Sequence, residues 1–214
     1  MITKTVMRIM SIALLVTCLG ASLAMAEPAA NSADAVRTNI VLVPVGPISV
    51  DLMNRIKSSI LDNYTCGVRV GELQKSMANS MEEEGKELAK LMNKSDLCVL
   101  GLVNIPEEVS LREATLRSSS VGLLNVWALK PGKIESEENK EQYARRVEKE
   151  SLNVIGKLLG LDICPSPQCA LSLANTEKQL DAKARDLCPP CRMKAEQAIR
   201  AFGSAIQIAP SVAK

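Results

Sequence analysis

Four cysteines in the C-terminal part of the chain constrain its fold more than any other feature. Cys164 and Cys169 enclose Pro-Ser-Pro-Gln; after an eighteen-residue spacer, Cys188 and Cys191 enclose Pro189-Pro190. A C-x4-C pair followed by a C-x2-C pair is near zinc-ribbon spacing, in which four thiolates close a tetrahedral site that has no open position. Such a site holds a loop and a helix start together and contributes on the order of 10 kcal/mol of folding free energy. Leu180, Ala184 and Leu187, between the pairs, predict a helix that the metal would pin against the core. Two alternatives compete with a metal. An oxidising compartment favours disulfides, and Cys-Pro-Pro-Cys ahead of a helix is also the arrangement that lowers a thiol pKa in exchange enzymes. The strand-helix-strand context of a thioredoxin-like fold is not what lies upstream. Cys66 and Cys98 are left over, each at the start of a strand candidate. They are open to a disulfide between neighbouring strands or to the simpler reading as buried free thiols.

Upstream of the cysteines, short apolar runs alternate with helical periodicity. NIVLVPV (Asn39 to Val45), stopped by Gly46-Pro47, has the pattern of a buried strand, as do Cys66 to Val70, LCVLGLV (Leu97 to Val103) and Val121 to Leu129. Val50 to Leu61 places Leu52, Met53, Ile56, Ile60 and Leu61 at helical spacing, and the charged stretch Gln74 to Asn93 predicts a surface helix. Strands separated by helices argue for an α/β fold with a mainly parallel mixed sheet and crossover helices. Lys130 to Glu141 is a polar turn or linker. A helix over Gln142 to Leu159 follows, ended by Gly160 as a C′ glycine. A helical C-terminal part carrying the four-cysteine site completes the chain, with a final helix from about Arg192 to Phe202.

The N-terminus has the layout of a signal peptide. Lys4 and Arg8 precede an apolar stretch from Met10 to Leu19, and Ala24-Met25-Ala26 supplies small residues for cleavage. The expectation is a leader at residues 1–26, a flexible lead-in at 27–38 and a single domain at 39–205, secreted or periplasmic, with no stable membrane anchor after cleavage. Cys18 raises lipidation as an alternative, but Thr17 before it is a poor residue for such a site. Loss of Lys4 and Arg8 takes the formal charge from +2 to zero. Aromatic residues make up 2% of the chain. A neutral domain without a stacking platform has no case for a nucleic-acid partner.

The motif residues resemble the archaemetzincins, whose zinc helix reads KE-x-x-HE-x-x-H-x-x-G-x-x-HC, followed by a four-residue spacer, C-x-M and a later C-x-x-C. Lys149-Glu150 matches the lead-in and Gly160 the turn glycine, while Cys164, Cys169 and the pair Cys188 and Cys191 match the cysteines. The resemblance implies a metzincin-like fold and, at the cysteines, a structural zinc ion. It does not carry the peptidase chemistry over. The chain contains no histidine: the three ligand positions hold Asn153, Lys157 and Ile163, and the general-base position holds Val154. Metzincin chemistry needs imidazoles at i and i+4 and a carboxylate beside them. Leu171 stands where the methionine of C-x-M would be. The polar stripe of Glu150, Asn153 and Lys157 reads either as an ordinary solvated helix face or as a residual cleft. In the second case the Lys157 ammonium replaces the lost metal charge, paired with Glu150 or Asp162.

The expected function is therefore that of an exported, catalytically inactive relative with one structural Zn²⁺, retaining a cleft for a peptide or protein partner. A thiol-disulfide oxidoreductase working through Cys188 and Cys191 is the rival from another class. A residual peptidase is the third reading.

Overall fold

Strand β1 (Asn39–Val45) is buried on both faces, with Ile40 and Leu42 in one core layer and Val41, Val43 and Val45 in the other. A continuous apolar run is what such a position requires. Strands β2 (Gly67–Val70) and β3 (Asp96–Val103) flank β1, both parallel to it. Strand β4 (Glu113–Leu116) lies antiparallel at the edge against β5 (Val121–Asn125), which is itself parallel to β3. The order β2-β1-β3-β5-β4 is the mainly parallel mixed sheet that the sequence predicts. The structure, a computed structural model, describes residues 38–208 apart from 76–79, 106–111, 133 and 135. The leader at 1–26 with Cys18, and the lead-in up to residue 37, lie outside the described residues.

Helices α1 (Val50–Asn63) and α3 (Glu137–Leu158) cover one face of the sheet, and α2 (Met81–Ala89) covers the other through Leu88. Each starts at a serine whose hydroxyl accepts an N–H of the first turn: Ser49 from Leu52, Ser80 from Glu83 and Ser136 from Asn139. Helix α3 sits close enough to β5 that a Cβ on Gly122 would lie 2.4 Å from Val154 Cγ1. It ends in a Schellman motif, with Leu161 N–H bonded to Gly156 O, Gly160 N–H bonded to Lys157 O, and Gly160 at φ +77°. Helix α4 (Glu177–Ala182) begins with a capping box between Thr176 and Gln179, and α5 (Pro189–Ile208) closes the described chain. Among the described residues no helix is long and apolar enough to cross a membrane.

Several boundaries depart from the sequence reading. The strand expected over Val121 to Leu129 stops at Asn125, whose side chain caps a 3-10 turn at Val126–Leu129. Of the helix expected over Gln74 to Asn93, the described part starts at Met81, and Gln74 instead bridges Val45. Helix α3 takes up the end of the linker, and α5 starts at Pro189, where a proline costs no helical hydrogen bond. The helix through Leu180, Ala184 and Leu187 ends at Ala182, with Leu180 and Leu187 still buried. Cys98 lies in β3 and Cys66 immediately precedes β2, and these two strands are not neighbours, because β1 runs between them. Both thiols are free. Burial pushes the Cys66 thiol up to about 11, against a hydrogen bond with the Ile40 backbone that lowers it, and burial pushes Cys98 higher.

The charged side of α3 is buried. Arg146 forms a two-point pair with Asp181 at 2.6 and 2.7 Å, and Glu148 accepts from Arg55 Nε at 2.7 Å. Lys149 Nζ donates to the Leu180 and Asp181 carbonyls at the end of α4, and Glu150 accepts from Lys183 at 2.6 Å. Lys183 and Glu150 are 2% and 3% exposed. Removing one member of so buried a pair strands the other's charge. Lys183→Met is therefore expected to cost roughly 3 kcal/mol in urea unfolding, and the double variant Lys183→Met with Glu150→Leu to recover most of it. A single-variant loss below about 1 kcal/mol would show that Glu150 finds another partner.

Candidate functional site

The four cysteine sulfurs converge: all lie within 4.8 Å of one another. Cys164 and Cys188, from opposite pairs, are 3.7 Å apart. The edge of a tetrahedron with Zn–S bonds of about 2.3 Å is about 3.8 Å, so the donor set fits a tetrahedral thiophilic ion. The framework that brings them together is polar. Asn63 at the end of α1 donates to Asp186 and accepts the Leu187 N–H, fixing the chain just before Cys188. Leu171 N–H and Cys188 N–H both point at Cys169 Sγ, at 3.5 and 3.4 Å, as donors around a metal thiolate do. Burial raises the Cys191 and Cys169 thiols. At Cys188 burial also pushes upward, but the Cys191 backbone N–H and the thiols of Cys191, Cys164 and Cys169 outweigh it and leave this thiol below its ordinary value. Each sulfur of the cluster thus has three others around it. An isolated exchange pair would have one neighbouring sulfur.

A second site lies along α3, walled in part by the segment that carries the first cysteine pair. A cleft of about 320 Å³ is bounded by Arg112 and Glu113 beside β4, by Glu150, Asn153 and Lys157 of α3, and by Ile163 and the stretch Leu171 to Asn175. Three of the four positions singled out by sequence, Asn153, Lys157 and Ile163, meet here. Val154 does not, because it is fully buried against β5. Leu171 forms the apolar floor, as expected. The solvated-face reading fails: Glu150 is buried, and Asn153 and Lys157 are only part-exposed. The expected partner also changes. The Lys157 ammonium is held by the Glu113 carboxylate, and neither Glu150 nor the exposed Asp162 plays that part. Glu113 had no place in the sequence reading, because β4 is four residues long and half-buried. The run Ser118-Ser119-Ser120 just before β5, with Ser120 at φ 53°, marks the turn that could have revealed it.

This cleft does not fit a metal on histidines. It offers an amide, an ammonium in an ion pair and an aliphatic side chain where three imidazoles would be needed. No carboxylate stands at the base position.

A family model described as peptidase family M54 matches residues 111–197, the span that holds β4, α3 and all four cysteines. An archaemetzincin of Haloarcula marismortui is 21% identical over 165 residues, covering 71% of this chain and 95% of that protein. A zinc-dependent peptidase from Methanocorpusculum labreanum superposes with a TM-score of 0.62 at 15% identity, over 73% of this chain and 100% of that one. The archaemetzincin of Methanopyrus kandleri gives 0.59 at 20% identity, over 77% and 97%. At these identities the two solved structures establish a shared fold.

The Lys157 and Glu113 side chains are 27% and 25% exposed, so water still reaches their charges. Glu113→Gln should therefore shift the unfolding free energy by about 1 kcal/mol or less. A loss of several kcal/mol in chemical denaturation would make the pair a structural element of the fold.

Proposed function

For a chain that belongs to the archaemetzincin family, peptidase family M54, we propose the role of an exported, catalytically inactive member, fastened by one structural zinc ion and binding peptide in its residual cleft. The observation that carries this reading is the ion pair of Lys157 with Glu113 inside the cleft. An ammonium at the second ligand position of the zinc helix repels a divalent cation, and its partner carboxylate is committed to it. Asn153 and Ile163 complete no ligand set, and the buried Val154 accepts no proton. Both requirements of metal-assisted hydrolysis, a held ion and a base beside it, are then missing. Zinc at Cys164, Cys169, Cys188 and Cys191 is supported by the mutual approach of the sulfurs and by the N–H donors around Cys169. Export rests on the leader-like residues 1–26.

Elemental analysis of the mature protein, purified without a histidine tag, should give close to one zinc per chain. Cys188→Ser should abolish that zinc and lower the unfolding temperature, because the metal's contribution to folding goes with its ligand set. Casein and a peptide library should remain uncut with or without added zinc, and so should they with Asn153→His plus Lys157→His, which still lacks a third ligand and a base. Two zinc ions per chain, or chelator-sensitive cleavage, would overturn the inactive reading. Four oxidised thiols without metal would overturn the zinc.

A further inference from the structure

Among the described residues the ionic groups of the cleft do not cancel. Glu113 is neutralised by Lys157. Glu150 is neutralised from beneath by the buried Lys183, whose Nζ lies 2.6 Å from Oε1. Arg112 lies 3.9 Å from the other Glu150 oxygen, beyond hydrogen-bond reach, and spends Nη1 on the Ala174 carbonyl at 3.2 Å. Among the described residues no hydrogen bond reaches Arg112 Nε or Nη2, and the side chain is 29% exposed. Among the described residues, three cations, Arg112, Lys157 and Lys183, thus face two carboxylates, and the surplus sits on the guanidinium whose Nε and Nη2 meet no hydrogen-bond partner there.

A free guanidinium fork matches the two oxygens of a carboxylate, giving paired charge-assisted hydrogen bonds. Asn153, Ser172 and Asn175 also line the cleft. The rest of the lining is aliphatic. Leu171 lies on the floor, and Ile163 and Leu173, at 57% and 60% exposure, leave apolar surface open at the rim. A branched aliphatic group attached to the bound carboxylate would cover that surface and gain by leaving water.

We propose that the cleft captures an aliphatic carboxylate, the carboxyl end of a peptide or a small branched acid, on Arg112 with Lys157 beside it. The proposal rests on the reading of the cleft as a binding site without catalysis, and it names the chemistry that is bound.

The test is isothermal titration of the mature, zinc-loaded protein with N-acetyl-alanyl-leucine, with its C-terminal amide and with isovalerate. The free acid should bind and the amide should bind about tenfold more weakly or worse, since it offers no charge to the guanidinium. Arg112→Gln should bring the acid down to the level of the amide at an unchanged unfolding temperature, and Arg112→Lys should restore part of the difference. Peptide binding tighter than isovalerate assigns the site to peptide ends; equal binding assigns it to small acids. If acid and amide bind equally, carboxylate capture is overturned and a peptide cleft remains. If neither peptide form binds at millimolar concentration, both ideas fall, while zinc content and lack of cleavage still judge the inactive assignment separately.

Discussion

Arg146, Glu148, Lys149 and Glu150 of α3 are buried ionic groups, and burial of that kind is tolerated only where each charge meets a partner. Their partners come from elsewhere in the chain: Arg55 on α1, Asp181 and the carbonyls of α4, and Lys183 just after it. The arrangement fixes the orientation of α3, because a rotation that freed one of these groups would strand the others. Once α3 is fixed, Glu150, Asn153 and Lys157 are placed in the cleft, whose wall also includes Ile163 and Leu171 from the segment that carries the first cysteine pair. The Lys149-Glu150 pair shared with the family's motif therefore has a role independent of metal: it clamps the end of α4. That role would persist in a member whose histidines have gone.

Much of the sheet was legible because β1 and β3 are buried on both faces and so are apolar without interruption. The cysteine site was legible because four sulfurs around one ion demand a recognisable spacing, and Gly160 because a helix end of this type needs a positive φ. What escaped was long-range and ionic. A charged run such as Arg145 to Glu150 looks like a solvated surface, since charge alone does not disclose that partners arrive from α1 and α4. The Lys157 partner was misassigned for the same reason: Glu113 lies far off in sequence, on a strand too short and too polar to announce itself. The pairing of Cys66 with Cys98 looked open only while the strand order was unknown.

The cleft is assembled from ordinary side chains. The carboxylate at Glu113 and the ammonium at Lys157 neutralise each other at partial exposure, and a valine fills the base position by joining the core against Gly122. The floor at Leu171 stays apolar. The family fold is thus retained by the core, the α3 network and the cysteines, none of which uses a histidine.

The placement of the α3 partners also bears on the order in which the chain can become structured. Everything the sheet needs, β1 to β5, is present once residue 125 has been made, and sheet pairing can begin on that portion alone. Arg146, Lys149 and Glu150, by contrast, remain without Asp181, the α4 carbonyls and Lys183 until the chain has been made as far as residue 183, well past the end of α3 at Leu158. Docking α3 earlier would bury those charges unpaired, so the helix has an electrostatic reason to wait. The final consolidation of the fold is thereby deferred until the segment that carries the second cysteine pair is at hand.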